Sequence, residues 1–426
     1  MTGVAGFSVS GWLQRHGAGL RPGTLRLQAV TLAAGLWITA AYILSAPGLF
    51  DRNGILKGVD FLQFYTAAHM VASGDGGRLY EWEAFAARLQ GLIPGTGDLL
   101  FLSVYPPPLA VALAPLGRLP YAWALASWTF VTILLYAICV RAIAGQFPSA
   151  SPRLPWWLLA LAFVPFQQVL AHGQVGALAL VCFAGAWLAL RRERWFLVGF
   201  LLGSLCFKPS FLVAPAAAIA VTLRAPVIAG VAAGVALQLC LVALTLGPDV
   251  WAAYAGKAVV LLTSPELFEP KPWQMHSLKG FWQLLLGTNA VSFALWVLSS
   301  AVVFGSLAHV WRRTRSADLR MGALVIAAVL MNPHLYVYDL VVLAVAFGAL
   351  VRWALDAQKG QEAATSRQAL ALLHLLWWVP LVGPLAALTR VQLTSIVLAG
   401  LMATLAAAVR TRADAPARST AGLRSA

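Results

Sequence analysis

A few polar side chains stand where this chain can least afford them. Asp60 opens the mostly apolar stretch "DFLQFYTAAHMVASGDGGRLY" (60–80), in a protein of 426 residues that holds only 15 acids. A carboxylate beside an apolar stripe is partly desolvated, and desolvation lifts its pKa toward the range of a general base. The competing reading is a surface acid at a helix N-terminus, favoured by the helix dipole. The residue by itself leaves both open. Lys208 heads "KPSFLVAP" (208–215) between two apolar runs. An ionisable group at membrane depth is a functional candidate by default, although a lysine also snorkels with no ligand at all. Asp339, in "NPHLYVYDL" (332–340), is the second candidate acid. It has Lys208 or a histidine as possible partners, or caps the next helix. His172 and Gln174, in "HGQVGALAL" (172–180), read as the opening of a helix whose N-terminal amides can meet an anion. Tyr65, His69, His276, His334 and Tyr338 complete the polar set, suited to hydrogen-bonding a ligand or to structural bonds.

Other chemistries find no support. No H-x-x-x-H or equivalent spacing is present, so a metal is not expected, and neither a P-loop nor a dinucleotide fingerprint occurs. Cys139, Cys182, Cys206 and Cys240 lie in apolar runs without C-x-x-C spacing and read as small core residues. Trp273, Phe281 and Trp282 in the 247–289 stretch suit stacking on a flat ligand, but an interfacial aromatic belt reads the same way.

The elements that must hold these residues are membrane helices. The chain is 60% hydrophobic and 11% charged, with a mean hydropathy of +0.79. That is less than half the roughly 25% charge of soluble domains. Apolar segments fall near 27–46, 120–140, 155–171, 174–190, 195–207, 209–222, 226–246, 290–311, 320–334, 338–351, 368–388 and 392–409. The expectation is an all-α polytopic bundle of about twelve spans, some short, because 14 residues rise about 21 Å against a ~30 Å hydrocarbon core. The first segment is too long for a signal-peptide core and reads as an uncleaved span. The net charge of +15 comes from short basic clusters such as "RRER" (191–194) and "RRTR" (312–315), not from a stripe that would bind nucleic acid. With the N-terminus inside, most of the basic residues fall on the inner face, as topology signals do. Both termini are then cytoplasmic, and the long connections 47–119 and 247–289 are extracytoplasmic. Residues 1–410 form one domain, with two amphipathic helices in the first outer loop, and 411–426 read as a disordered tail. "VYPPPLAVALAPLGRLP" (104–120) reads as a partial helix opened by Pro106, Pro107 and Pro108, because a full span there would invert every later loop.

Taken in order, the segments quoted above, from "DFLQFYTAAHMVASGDGGRLY" through "YPPPLAVALAPLGRLP" to "NPHLYVYDL", resemble glycosyltransferase family 87. These are integral-membrane GT-C enzymes that use polyprenyl-phosphate sugars. The resemblance implies that Asp60 is the catalytic acid of the first outer loop and deprotonates an acceptor hydroxyl. It also implies inverting transfer of a hexose, mannose first, from a lipid-linked donor to a glycan or glycolipid acceptor at the outer face of a bacterial-type inner membrane. Lys208 and the outer histidines would receive the donor phosphate, and no cofactor is called for. His276, Ser277 and Lys279 fit the family loop imperfectly. A lipid-linked-sugar flippase and an envelope polysaccharide polymerase or ligase are the competing functions.

Overall fold

The computed structural model describes residues 8–96, 101–147, 154–263, 271–358 and 362–413. The described residues are helical apart from turns and two isolated bridges, Phe50 with Leu56 and Met275 with Tyr336. Hydrocarbon offers backbone amides no partner, so apolar sequence of this length satisfies them within helices. Among the described residues seven helices are long and apolar enough to cross a membrane: Pro22–Leu44, Tyr121–Ala144, Ala225–Leu246, Ala290–Arg313, Val337–Ala357, Ala363–Thr389 and Leu393–Arg410.

The other apolar segments form shorter helices, for local reasons. Segment 155–171 divides into Trp156–Leu161 and Val164–His172, with Pro165 in the first turn of the second. Gly176–Arg191 is regular but rises about 24 Å for its 16 residues. Near 208 the helix Trp195–Gly203 tightens into a 3₁₀ turn, Ser204–Phe207, and a second 3₁₀ turn begins at Pro209, which lacks the amide needed to continue an α-helix. Lys208 is the extended residue between them. The 104–120 stretch forms the seven-residue helix Pro107–Leu113 and the 3₁₀ turn Leu116–Arg118, about 10 Å of helix and too short to span. The expected tail begins inside Leu393–Ala413, and residues 414–426 lie outside the described residues.

A close helix crossing went unread in the sequence. "GFLLG" (199–203) and "GVAAG" (230–234) face each other: a Cβ added to Gly199 would lie 2.1 Å from the Val227 carbonyl oxygen, and one added to Gly230 would lie 2.1 Å from that of Phe196. Small residues four apart let membrane helices approach until their backbones touch. Gly230→Leu is expected to cost at least the 1–3 kcal/mol typical of overpacking. Thermal unfolding in detergent checks this against Gly305→Leu, which meets open space and should melt like wild type.

At the end of the bundle that carries most of the basic residues, Asp318 gathers several helices. Its carboxylate accepts from Trp187 Nε1 at 2.9 Å and Arg352 Nε at 3.0 Å, with Arg191 Nε at 3.9 Å. Arg191 and Arg352 also bond Gln146, at the end of Tyr121–Ala144. Gly176–Arg191 runs from this cluster to the opposite end, where Gln174 lies. The two polar regions are therefore separated by about 24 Å along this helix.

Candidate active site

Asp60 directly precedes the helix Phe61–Ala72, whose stripe Phe61, Phe64, Tyr65 and Ala68 is buried. The surface-acid reading has the place right and the exposure wrong: Asp60 stands at the N-terminus of this helix but is half-buried. Asp60 has helical backbone angles and its side chain makes no cap bond. Instead Oδ2 accepts a 2.7 Å hydrogen bond from Gln174 Nε2. The acid is enclosed by protein and half-buried. Burial pushes its pKa above the ordinary carboxylate range, while His172, the Gln174 bond and Lys208 pull it back and Asp339 adds to the rise.

Gln174 reaches Asp60 because of a turn, and here the sequence reading is corrected. His172 and Gln174 do not open one helix. His172 is the last residue of Val164–His172, and Gln174 lies in the link before Gly176. Gly173 makes the stop with φ +69, and a Cβ there would lie 2.6 Å from Phe61 Cβ. Trp128 Nε1 locks the turn by donating to the Gly173 carbonyl at 3.1 Å. Gln174 is 1% exposed, and its buried Oε1 meets no donor among the described residues, an orphan that burial makes costly.

The third member is a buried ion pair. Lys208 Nζ bonds Asp339 Oδ1, and Asp339 Oδ2 accepts from the Tyr336 amide at 3.3 Å. Both readings of Asp339 thus hold at once: lysine partner and cap. The rings of Tyr105, Phe211 and Tyr338 stand 5.4–5.8 Å from the ammonium. Ring faces and a carboxylate repay part of the cost of removing an ammonium from water. Tyr105 was missed as a site residue because an aromatic in an apolar run looks like core or belt. Burial keeps its phenol protonated by pushing it above the usual range. The His172 ring lies tilted at 53° to Tyr338 with centroids 5.8 Å apart, and the His334 ring stands 4.9 Å from Tyr336, which contacts Tyr338 in turn.

Three of the expected site residues are engaged elsewhere. Tyr65 donates its hydroxyl to the Leu119 carbonyl at 2.8 Å, pinning the partial helix against Phe61–Ala72. His69 bonds Ser73 and faces Arg88, which is paired with Asp75; burial first, then Arg88, holds its imidazole below the ordinary range. His276 is buried with Nδ1 2.9 Å from Thr394 Oγ1, and burial lowers it to about 3, so it is neutral. Its amide donates to Leu335 at 2.9 Å, tying the 271–289 stretch to the segment that carries Asp339. Trp282 is held by Ser299. Among the described residues no three His, Cys, Asp or Glu converge to hold a metal ion.

A half-buried acid, the buried amide that bonds it and a caged cation lie together at one end of an apolar helical bundle, in a polytopic membrane protein. The chain belongs to glycosyltransferase family 87, whose model matches residues 103–335, more than half of it. The match takes in Tyr105, His172, Gln174 and Lys208, begins after Asp60 and ends before Tyr338 and Asp339. No curated protein and no solved structure is detectably similar. The chain is therefore a glycosyltransferase, with a sugar donor and an acceptor, in a membrane.

Proposed function

We propose that this enzyme moves one hexose, mannose first among the candidates, from a polyprenyl-phosphate donor to an acceptor hydroxyl at the extracytoplasmic face, with inversion. The observation that carries the reading is the Asp60–Gln174 pair set beside the caged Lys208. The basic clusters gather at the other end of the bundle, which supports an inner location for that end and an outer one for the end that holds Asp60. On this reading the shorter helices complete the expected count of about twelve passes, thinner than average and shielded by neighbours.

Asp60 takes the proton from the acceptor hydroxyl as its oxygen attacks the anomeric carbon. The new carbon–oxygen bond forms while the bond from that carbon to the phosphate oxygen breaks, and the electron pair leaves with the lipid phosphate. Lys208 has three N–H donors; Asp339 takes one, leaving donors for the phosphate oxygen on which charge develops. Gln174 holds and orients the Asp60 carboxylate with its amide nitrogen. His172, Tyr338 and His334 border the space the sugar would occupy. Tyr65, His69 and His276 support the walls.

Two measurements bear on this. Purified protein in vesicles, given radiolabelled polyprenyl-phosphate mannose and a membrane-extract acceptor, should yield a product one hexose larger. Nucleotide sugars should not replace the donor. Transport of the lipid-linked sugar with no new glycosidic bond would favour a flippase, and long products a polymerase. The pH dependence follows from Asp60. Its protonated fraction is inactive, so the acid limb of kcat/KM should lie above the roughly 3.9 of a free aspartate. Since the folded-state pKa is raised, ionising Asp60 costs stability: its contribution is present at low pH and fades as pH rises through that pKa.

A further inference from the structure

A cavity of about 810 Å³ opens at the other end of the bundle, near the basic clusters. Its walls are mostly apolar and come from separate helices, among them Leu25, Ile143, Phe163, Phe347 and Leu370. By the liquid volume of water the space would hold about 27 molecules, and a buried water needs two to four polar partners. The polar groups on the wall are mostly spent. Tyr136 donates to the Ala160 carbonyl at 3.0 Å, and the His374 ring lies between His16 at 3.0 Å and Gln28 at 2.9 Å. The nearby Glu362 carboxylate accepts from Trp353 Nε1 at 3.2 Å. Arg367 also lines the cavity, half-buried and, among the described residues, without an acid partner. Its backbone is fixed, because a Cβ on Gly17 would lie 1.9 Å from its carbonyl oxygen.

We propose that the cavity binds a membrane phospholipid with an anionic headgroup, its hydrocarbon chain inside and its phosphate on Arg367. Apolar space facing a bilayer is filled by chain in preference to water that finds no partners. A way in lies beside Pro22–Leu44, whose apolar window is 17% buried and whose Leu25 forms part of the wall. The sugar donor does not fit the geometry. The lining residues Phe347 and Leu355 stand 8 and 16 positions after Asp339, roughly 12–24 Å along the axis, so a phosphate on Arg367 lies far from Asp60. The site is independent of the reading given to Asp60.

The test titrates the detergent-purified full chain with phosphatidylglycerol or phosphatidylcholine and counts bound lipid by native mass spectrometry. Wild type should hold one phosphatidylglycerol in preference to phosphatidylcholine. Arg367→Gln should lose about fivefold of that preference, the worth of one cation near a charged headgroup, while still taking phosphatidylcholine. Leu370→Trp, which fills the cavity, should lose both lipids, and its melting curve reports whether it has folded. If it has not, Arg367→Gln decides alone. Equal binding of the two lipids by wild type, an unchanged preference in Arg367→Gln, retention by folded Leu370→Trp, or a polyprenyl phosphate as the co-purifying lipid would each overturn the proposal.

Discussion

Asp60→Asn is expected to lose hexose transfer by about 10²–10⁴-fold, the usual worth of a positioned general base, with donor binding little changed. The substitution keeps the shape, and the amide oxygen still accepts from Gln174 Nε2. What disappears is the ability to take a proton. Stability should move the other way. Burial works against the ionised acid at neutral pH, so Asp60→Asn should melt no lower than wild type there, with any gain vanishing below about pH 4 where both side chains are neutral. Transfer rate and melting temperature measured on the same preparation check both halves. A variant that is inactive because it is unfolded would show a lowered melting temperature and so be recognised.

The second large effect belongs to Lys208 and Asp339, whose side chains are 4% and 1% exposed. Removing one partner leaves a buried charge alone, at a cost of about 3–5 kcal/mol. Lys208→Met and Asp339→Leu singly should therefore fold poorly or not at all. The double variant should recover most of that loss, because apolar replacement of a whole buried pair is often neutral. Transfer should stay lost in the refolded double variant, since no cation then meets the leaving phosphate. Melting of the three variants with transfer by the double one separates the two roles. Transfer restored along with folding would reduce the pair to packing.

The split between what was legible and what was not follows from the length scale of each signal. Long apolar runs, the helix after Asp60, the proline-opened partial helix and the break at Lys208–Pro209 all rest on local sequence. Each lies where periodicity or a proline put it. Asp60, Lys208 and Asp339 stood out because acids and internal lysines are rare in such a chain. The pairing of Lys208 with Asp339 was one of several possibilities, and only the fold selects it across 131 positions. The reading failed at His172–Gln174, where a single glycine in the left-handed region ends one helix before the next begins. Tyr105 was invisible for a different reason: its role depends on which cation its ring faces. The Asp318 cluster is likewise an inter-helix arrangement of residues that look like ordinary loop-edge charges. The two glycine pairs at 199–203 and 230–234 could have been read, since their spacing is itself the signal.

The central claim is that the Asp60 carboxylate itself carries the proton. Asp60→Ala leaves a space where the carboxylate stood, and transfer from radiolabelled polyprenyl-phosphate mannose can be measured with and without added formate. The account predicts almost no transfer by Asp60→Ala alone and partial recovery with formate, with no recovery for Asp60→Asn, whose side chain fills the space. Transfer by Asp60→Ala at the wild-type rate without formate would contradict it.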